Sequence, residues 1–140
     1  MAPMRHVFFA LAAVSLVCCA APAATDAQGS APPLGVDTAC NADEMIQRGA
    51  DGEETRMQLP ISVFIPARGT AGEFCMATGC EPARIEPTLT RALGWTARVI
   101  TNDRSSMTAE IEISRDRSSF RLSRAEGGEE WRGSCNAAGS

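Results

Sequence analysis

The residues able to do chemistry in this chain are few, and the missing types decide more than the present ones. The single histidine is His6, at the head of an N-terminal apolar stretch, and lysine and tyrosine do not occur. Once that stretch is removed, no Ser-His-Asp or Cys-His nucleophile system can be assembled within the chain. Ser-Lys pairs, Schiff-base chemistry on lysine, and zinc or copper sites that need histidine go with it.

Cysteine and carboxylate chemistry remain. Cys40, Cys75, Cys80 and Cys135 all follow the N-terminal segment. An even number of cysteines in a small exported domain reads as a disulfide framework. Sequence leaves the connectivity open; the favoured pairing is Cys75–Cys80, closing a Met-Ala-Thr-Gly loop, with Cys40–Cys135 tying the two ends together. The Cys75 to Cys80 spacing is longer than that of a thioredoxin-like redox pair, and a four-cysteine zinc site would need closely spaced pairs.

Glu110 and Glu112 are the best carboxylate pair. Alternate residues on one strand face lie about 7 Å apart, a separation that suits an inverting glycosidase. The hairpin registers below give each an arginine neighbour, so a solvated charged face is expected instead. Asp51, Glu53 and Glu54 lack the alternating pattern and closing glutamate of a calcium loop. Arg68 to Glu73 lacks the lysine and spacing of a phosphate cradle. No catalytic, cofactor-binding or metal-ligating residue is expected. A net charge of −4 with 5% aromatic residues also argues against a nucleic-acid partner.

The elements that position these residues begin with a targeting segment. Arg5, the apolar run from Val7 to Cys19, and Ala21-Pro22-Ala23 give the charged start, short core and small-residue exit of a signal peptide over residues 1–23. The run falls short of the about 20 residues that span a bilayer, and no second one follows, so no transmembrane helix is expected in the processed chain. Leu16-Val17-Cys18-Cys19 is similar to a lipoprotein cleavage box, which makes Cys19 a candidate lipidation site; Cys18 departs from the usual small residue there. Residues 24–36, rich in Ala, Pro, Gly and Ser, read as a flexible linker or tether. Residues 37–140 then form a single β-rich domain.

Within it, Thr38 to Arg48 is predicted as a short helix, capped by Asp37 or Thr38 and stopped at Gly49. Met57, Leu59, Ile61, Val63 and Ile65 alternate with polar residues and prolines, which predicts a strand; Pro60 and Pro66 argue for an edge. Residues 67–82 read as a Gly-rich, cysteine-bearing connection, and Arg84 to Thr90 as another strand. A turn at Asp116-Arg117 sets Ile113 opposite Phe120, Ile111 opposite Leu122 and Glu112 opposite Arg121. A turn at Gly127-Gly128 sets Trp131 opposite Arg124, Gly133 opposite Leu122 and Cys135 opposite Phe120. A loop at Asn102 to Ser106 sets Val99 opposite Ala109, Ala97 opposite Ile111, Trp95 opposite Ile113 and Arg98 opposite Glu110. All three turns gather one apolar face, which a one-residue slip would destroy. Arg124 alone breaks that face.

The expected fold is mainly β: a small antiparallel meander closing into a β-barrel or half-sandwich, with one short N-terminal helix and two disulfides. The expected function is that of a periplasmic or secreted, non-enzymatic binding, inhibitor or envelope accessory module, with contact loops at 66–82 and 101–106. The partner, a protein or envelope component, is open. A carboxylate-dependent hydrolase and a lipid-anchored structural envelope protein are the alternatives.

Overall fold

The computed structural model describes residues 34–88 and 94–138. The expected signal segment 1–23 with Cys19, and residues 24–33 of the expected linker, lie outside them.

Hydrophobic alternation and tight turns produce eight strands in chain order. They are β1 (Thr38–Arg48), β2 (Glu54–Ile65), β3 (Ala71–Met76), β4 (Gly79–Thr88), β5 (Gly94–Ile100), β6 (Thr108–Ser114), β7 (Ser119–Arg124) and β8 (Glu129–Ala137). Each pairs antiparallel with its sequence neighbour, and β1 pairs with β8, so the sheet closes into a barrel. Val63, Ile65, Phe74, Ile85, Val99, Ile111, Ile113 and Leu122 point inward and are almost fully buried. Burying such side chains contributes roughly 1.5–3 kcal/mol each. Outside run ion pairs, among them Arg121–Glu112 at 2.7 Å and Glu86 shared by Arg84 and Arg98 at 2.8 Å each. Apolar-in and charged-out is the reverse of a barrel that faces lipid. Among the described residues, no helix is long and apolar enough to cross a membrane.

Thr38–Arg48 is strand β1, not a helix, and no helix occurs among the described residues. The misreading has a local cause. Thr38, Cys40 and Ala42 alternate inward, then an irregularity between Ala42 and Glu44 shifts the register, and Met45 and Ile46 are both buried. Ala42, Met45 and Ile46 thus fall at i, i+3 and i+4, which is the helical signature. A β-bulge produced that pattern.

The same irregularity explains Pro60. β2 meets β3 only over Ile61–Phe64, and Pro60 sits in the register break against β1, so its missing N–H costs no ladder bond. The expected edge is therefore half right: β2 is interior below Pro60, while residues 54–60 have no ladder partner on the β3 side. Pro87 is tolerated on the same logic. The Ile85 N–H donates to Thr70 on the β3 side at 2.8 Å, so by alternation the nitrogen of Pro87 faces that side too, beyond the last β3 partner at Arg84.

The stretch expected as an irregular connection over 67–82 contains β3 and the start of β4, paired as a hairpin with Cys75 opposite Cys80. The β5–β6 and β6–β7 registers are the predicted ones. At β7–β8 the register differs by two residues: Leu122 faces Trp131 and Phe120 faces Gly133, because the turn spans 125–128 and not Gly127-Gly128 alone. A slip of two keeps every side chain on its own face, so the inward set survived.

Both predicted disulfides are present. Cys40–Cys135 stitches β1 to β8, and Cys75–Cys80 staples the β3–β4 hairpin. Leu34, at the β1 entry, is 4% exposed and joins the core, with the Gly35 N–H donating to the Ala67 carbonyl at 3.1 Å. At the same end, Asp116 accepts from the hydroxyls of Ser114 and Ser118 and from the Ser118 N–H. Those donors, Ser114 first, bring its pKa down to about 2. Among the described residues, Leu34 caps the core at that end.

Candidate ligand-binding site at the open end of the barrel

At the opposite end the interior is not filled. The core strands carry Ile, Val and Leu inward along their length, but the upper ends of β1, β2, β3, β4, β7 and β8 surround a cup of about 430 Å³. That volume lies within the range of small-ligand pockets.

Each wall follows from the local chain. On β1 the bulge turns Met45 and Gln47 inward; on β2, above the register break, Met57 and Leu59 face in. Met45 stands opposite Met57 on one side and Trp131 on the other. The Trp131 indole is 2% exposed and donates its N–H to the Leu59 carbonyl at 3.0 Å. Leu59 lies in the irregular stretch, so the indole satisfies a carbonyl that the ladder does not use, and its ring is fixed. Because β3 does not extend alongside residues 54–60, the cup also opens sideways there. Met57, 43% exposed, stands at that opening.

The far wall is the connection from β5 to β6. The Thr101 N–H donates to the Met107 carbonyl at 2.9 Å, and the Met107 N–H donates to the Thr101 hydroxyl at 3.0 Å. Glu81, on the inner face of β4 and 4% exposed, accepts from the Arg104 N–H at 2.6 Å and from the Ser105 N–H at 3.2 Å. Arg104 then reaches the Thr78 carbonyl in the β3–β4 turn at 3.0 Å. One buried carboxylate thus pins the connection across the barrel mouth. The Ser105 hydroxyl contributes most to holding Glu81 below its ordinary value of 4.5; burial opposes it, while the backbone N–H groups and Thr101 assist.

Because the folded pKa is depressed, the latch is fully formed above 4.5 and fails as pH falls through the folded value. The protection factors of the Arg104 and Ser105 amides, taken relative to intrinsic exchange at each pH, are expected to fall on acidification below that point. Glu81→Ala is expected to reproduce that loss of protection at neutral pH, since it strands two N–H donors at about 1–3 kcal/mol each. Unchanged exchange in the variant would remove Glu81 from this role.

Arg124, the exception on the predicted apolar face, lines the cup and pairs with Glu129 at 2.9 Å. The predicted carboxylate pair lies elsewhere. Glu110 is exposed on the outer wall, and Glu112 pairs there with Arg121. Arg98 stands opposite Glu110 in register but sends its guanidinium to Glu86. The loop predicted as a contact at 101–106 does line the cup, through Arg104 and Ser105, whereas 66–70 is at the closed end. The site residues that sequence reasoning missed are the methionines and Glu81. Their one available signal was that Met45, Met57, Met76 and Met107 were the only methionines beyond the N-terminal segment.

No family model, curated protein or solved structure matches this chain. Its two disulfides, and the lack of a membrane-crossing helix among the described residues, are compatible with an extracytoplasmic protein.

Proposed function

We propose that this chain is an exported, non-enzymatic binding module that receives a small apolar or soft ligand in the open end of its barrel. The observation that carries the reading is the contrast between the two ends. One is closed by Leu34 and the core, while the other holds a cup walled by Met45, Leu59, Phe74, Met76, Met107 and Trp131. Met57 is exposed and Leu59 and Met76 are only partly buried there, so apolar surface is left open at the cup for something else. The disulfides and the N-terminal segment support export, with release or anchoring through Cys19 as its two routes. The carboxylates in the cup support binding over hydrolysis. Glu129 is paired with Arg124 and Glu81 is occupied by N–H donors, so neither is poised as a carboxylic acid beside a free base.

The reporter is built in, because Trp131 lies in the cup and Trp95 on β5 is the only other tryptophan. In a Trp95→Phe background, a small apolar fluorophore such as anilinonaphthalene sulfonate is expected to alter Trp131 emission saturably at one equivalent. Binding that leaves Trp131 unaffected would place the ligand elsewhere and overturn the proposal.

A further inference from the structure

Resting on the reading of the cup as a ligand site, we infer that its ligand is a soft monovalent d10 cation, Cu(I) or Ag(I), held by methionine thioethers. All four methionines among the described residues line this one cup. They come from separate walls: Met45 on β1, Met57 on β2, Met76 on β3 and Met107 at the entry to β6. The remaining interior uses Ile, Val, Leu, Phe, Ala and the Cys40–Cys135 disulfide, and no methionine. If bulk alone were needed, the same substitutions would serve at both ends. Confinement of the thioethers to one place points to thioether chemistry.

Thioethers are soft donors that select Cu(I) over harder divalent ions. Three rotatable bonds let each sulfur adapt its position inside a cup of this size. Met45 and Met107 are 4% and 3% exposed, and Met57 stands at the side opening, so the set runs from solvent to the interior. The Trp131 ring lies next to Met45 in register and is held by its bond to Leu59, offering a fixed π face to a cation. Charge does not decide the selection. Glu81 and Glu129 share the cup with Arg104 and Arg124, and both carboxylates are already bonded. A hard divalent ion finds no free carboxylate there, and no thiol competes while Cys75 and Cys80 are joined.

Thioethers carry no proton to displace, unlike thiols and imidazoles, so affinity should stay flat between about pH 5 and 8. The test uses the domain with both disulfides intact and its methionine methyl groups labelled with carbon-13. On titration with silver(I) in chloride-free buffer, at least three of the cup methyl signals should shift and saturate at one equivalent. Trp131 emission should follow the same curve, and zinc(II) should shift none of them. Met45→Leu/Met76→Leu/Met107→Leu keeps the volume nearly constant and should weaken silver binding beyond the about 10–100-fold that outer-shell losses cost. Far-UV dichroism and retained binding of the apolar fluorophore would show that the variant is folded. Silver binding that shifts fewer than three methyl groups, or that survives in the triple variant, overturns the inference. If the fluorophore binds and silver does not, the cup is a site for apolar molecules only; if neither binds, the proposed function falls as well.

Discussion

Replacing Cys40 and Cys135 together by alanine should lower the melting temperature far more than replacing Cys75 and Cys80. The first bridge spans a sequence separation of 95, the second only 5. In the chain-entropy account a loop of the first size stabilises by about 4–5 kcal/mol and one of the second size by about 2. For a domain near 100 residues, the larger loss is on the order of 20 °C. Packing adds to it, because Cys40 is fully buried and Cys135 is 5% exposed, whereas Cys80 is exposed. Thermal melts of the two double variants, followed by circular dichroism, make the comparison. Melting points within a few degrees of each other would mean that the β1–β8 seam holds without its covalent bond.

Gly133→Ala is expected to destabilise the barrel by about 3 kcal/mol or more, at the upper end of overpacking costs. Gly133 stands on β8 where β1 bulges toward it. A Cβ there would run into the Asn41 carbonyl and come within 2.8 Å of Phe120 Cε1. The obstacle on one side is backbone, so it cannot swing aside as a side chain would. Glycine in a strand commonly marks such a close approach at a barrel corner. Gly127, with nothing within 4 Å, supplies no such clash, although its φ of +96° adds strain of a different kind. Urea denaturation of Gly133→Ala measures the effect, and a loss below about 1 kcal/mol would show that β1 can relax away from β8.

The contrast between what the sequence disclosed and what it hid follows from locality. Hairpin registers from β5 to β7 were readable because side-chain alternation, opposite charges and turn length all had to agree over a few residues, and only one register satisfied them. A Gly-Gly pair alone predicts Trp131 two residues away from its partner, because Gly127 and Gly128 are only the second half of the turn. β1 was unreadable for a different reason. Its inward side chains change parity at a bulge, and that bulge exists because β1 must bend to meet both β2 and β8. Nothing inside residues 38–48 records that demand. Likewise Glu81 gave no hint of its role, since its partners Arg104 and Ser105 are far along the chain and bind it through backbone N–H groups. The cup was hidden because its methionines reach it from four walls.

The seam between β1 and β8 also sets an order of events in time. Every other pairing joins strands adjacent in the chain, so each can zip as a hairpin soon after both halves exist. The seam alone joins the first strand to the last, and such non-local closure is the slow step in β proteins. Until then the chain is an open meander whose two bare margins are β1 and β8, the state in which it is most prone to pair with a neighbour. A circular permutant that joins the present ends and begins within 125–128 would turn the seam into a hairpin and make β7–β8 the late closure, transferring that vulnerable interval to a different part of the molecule.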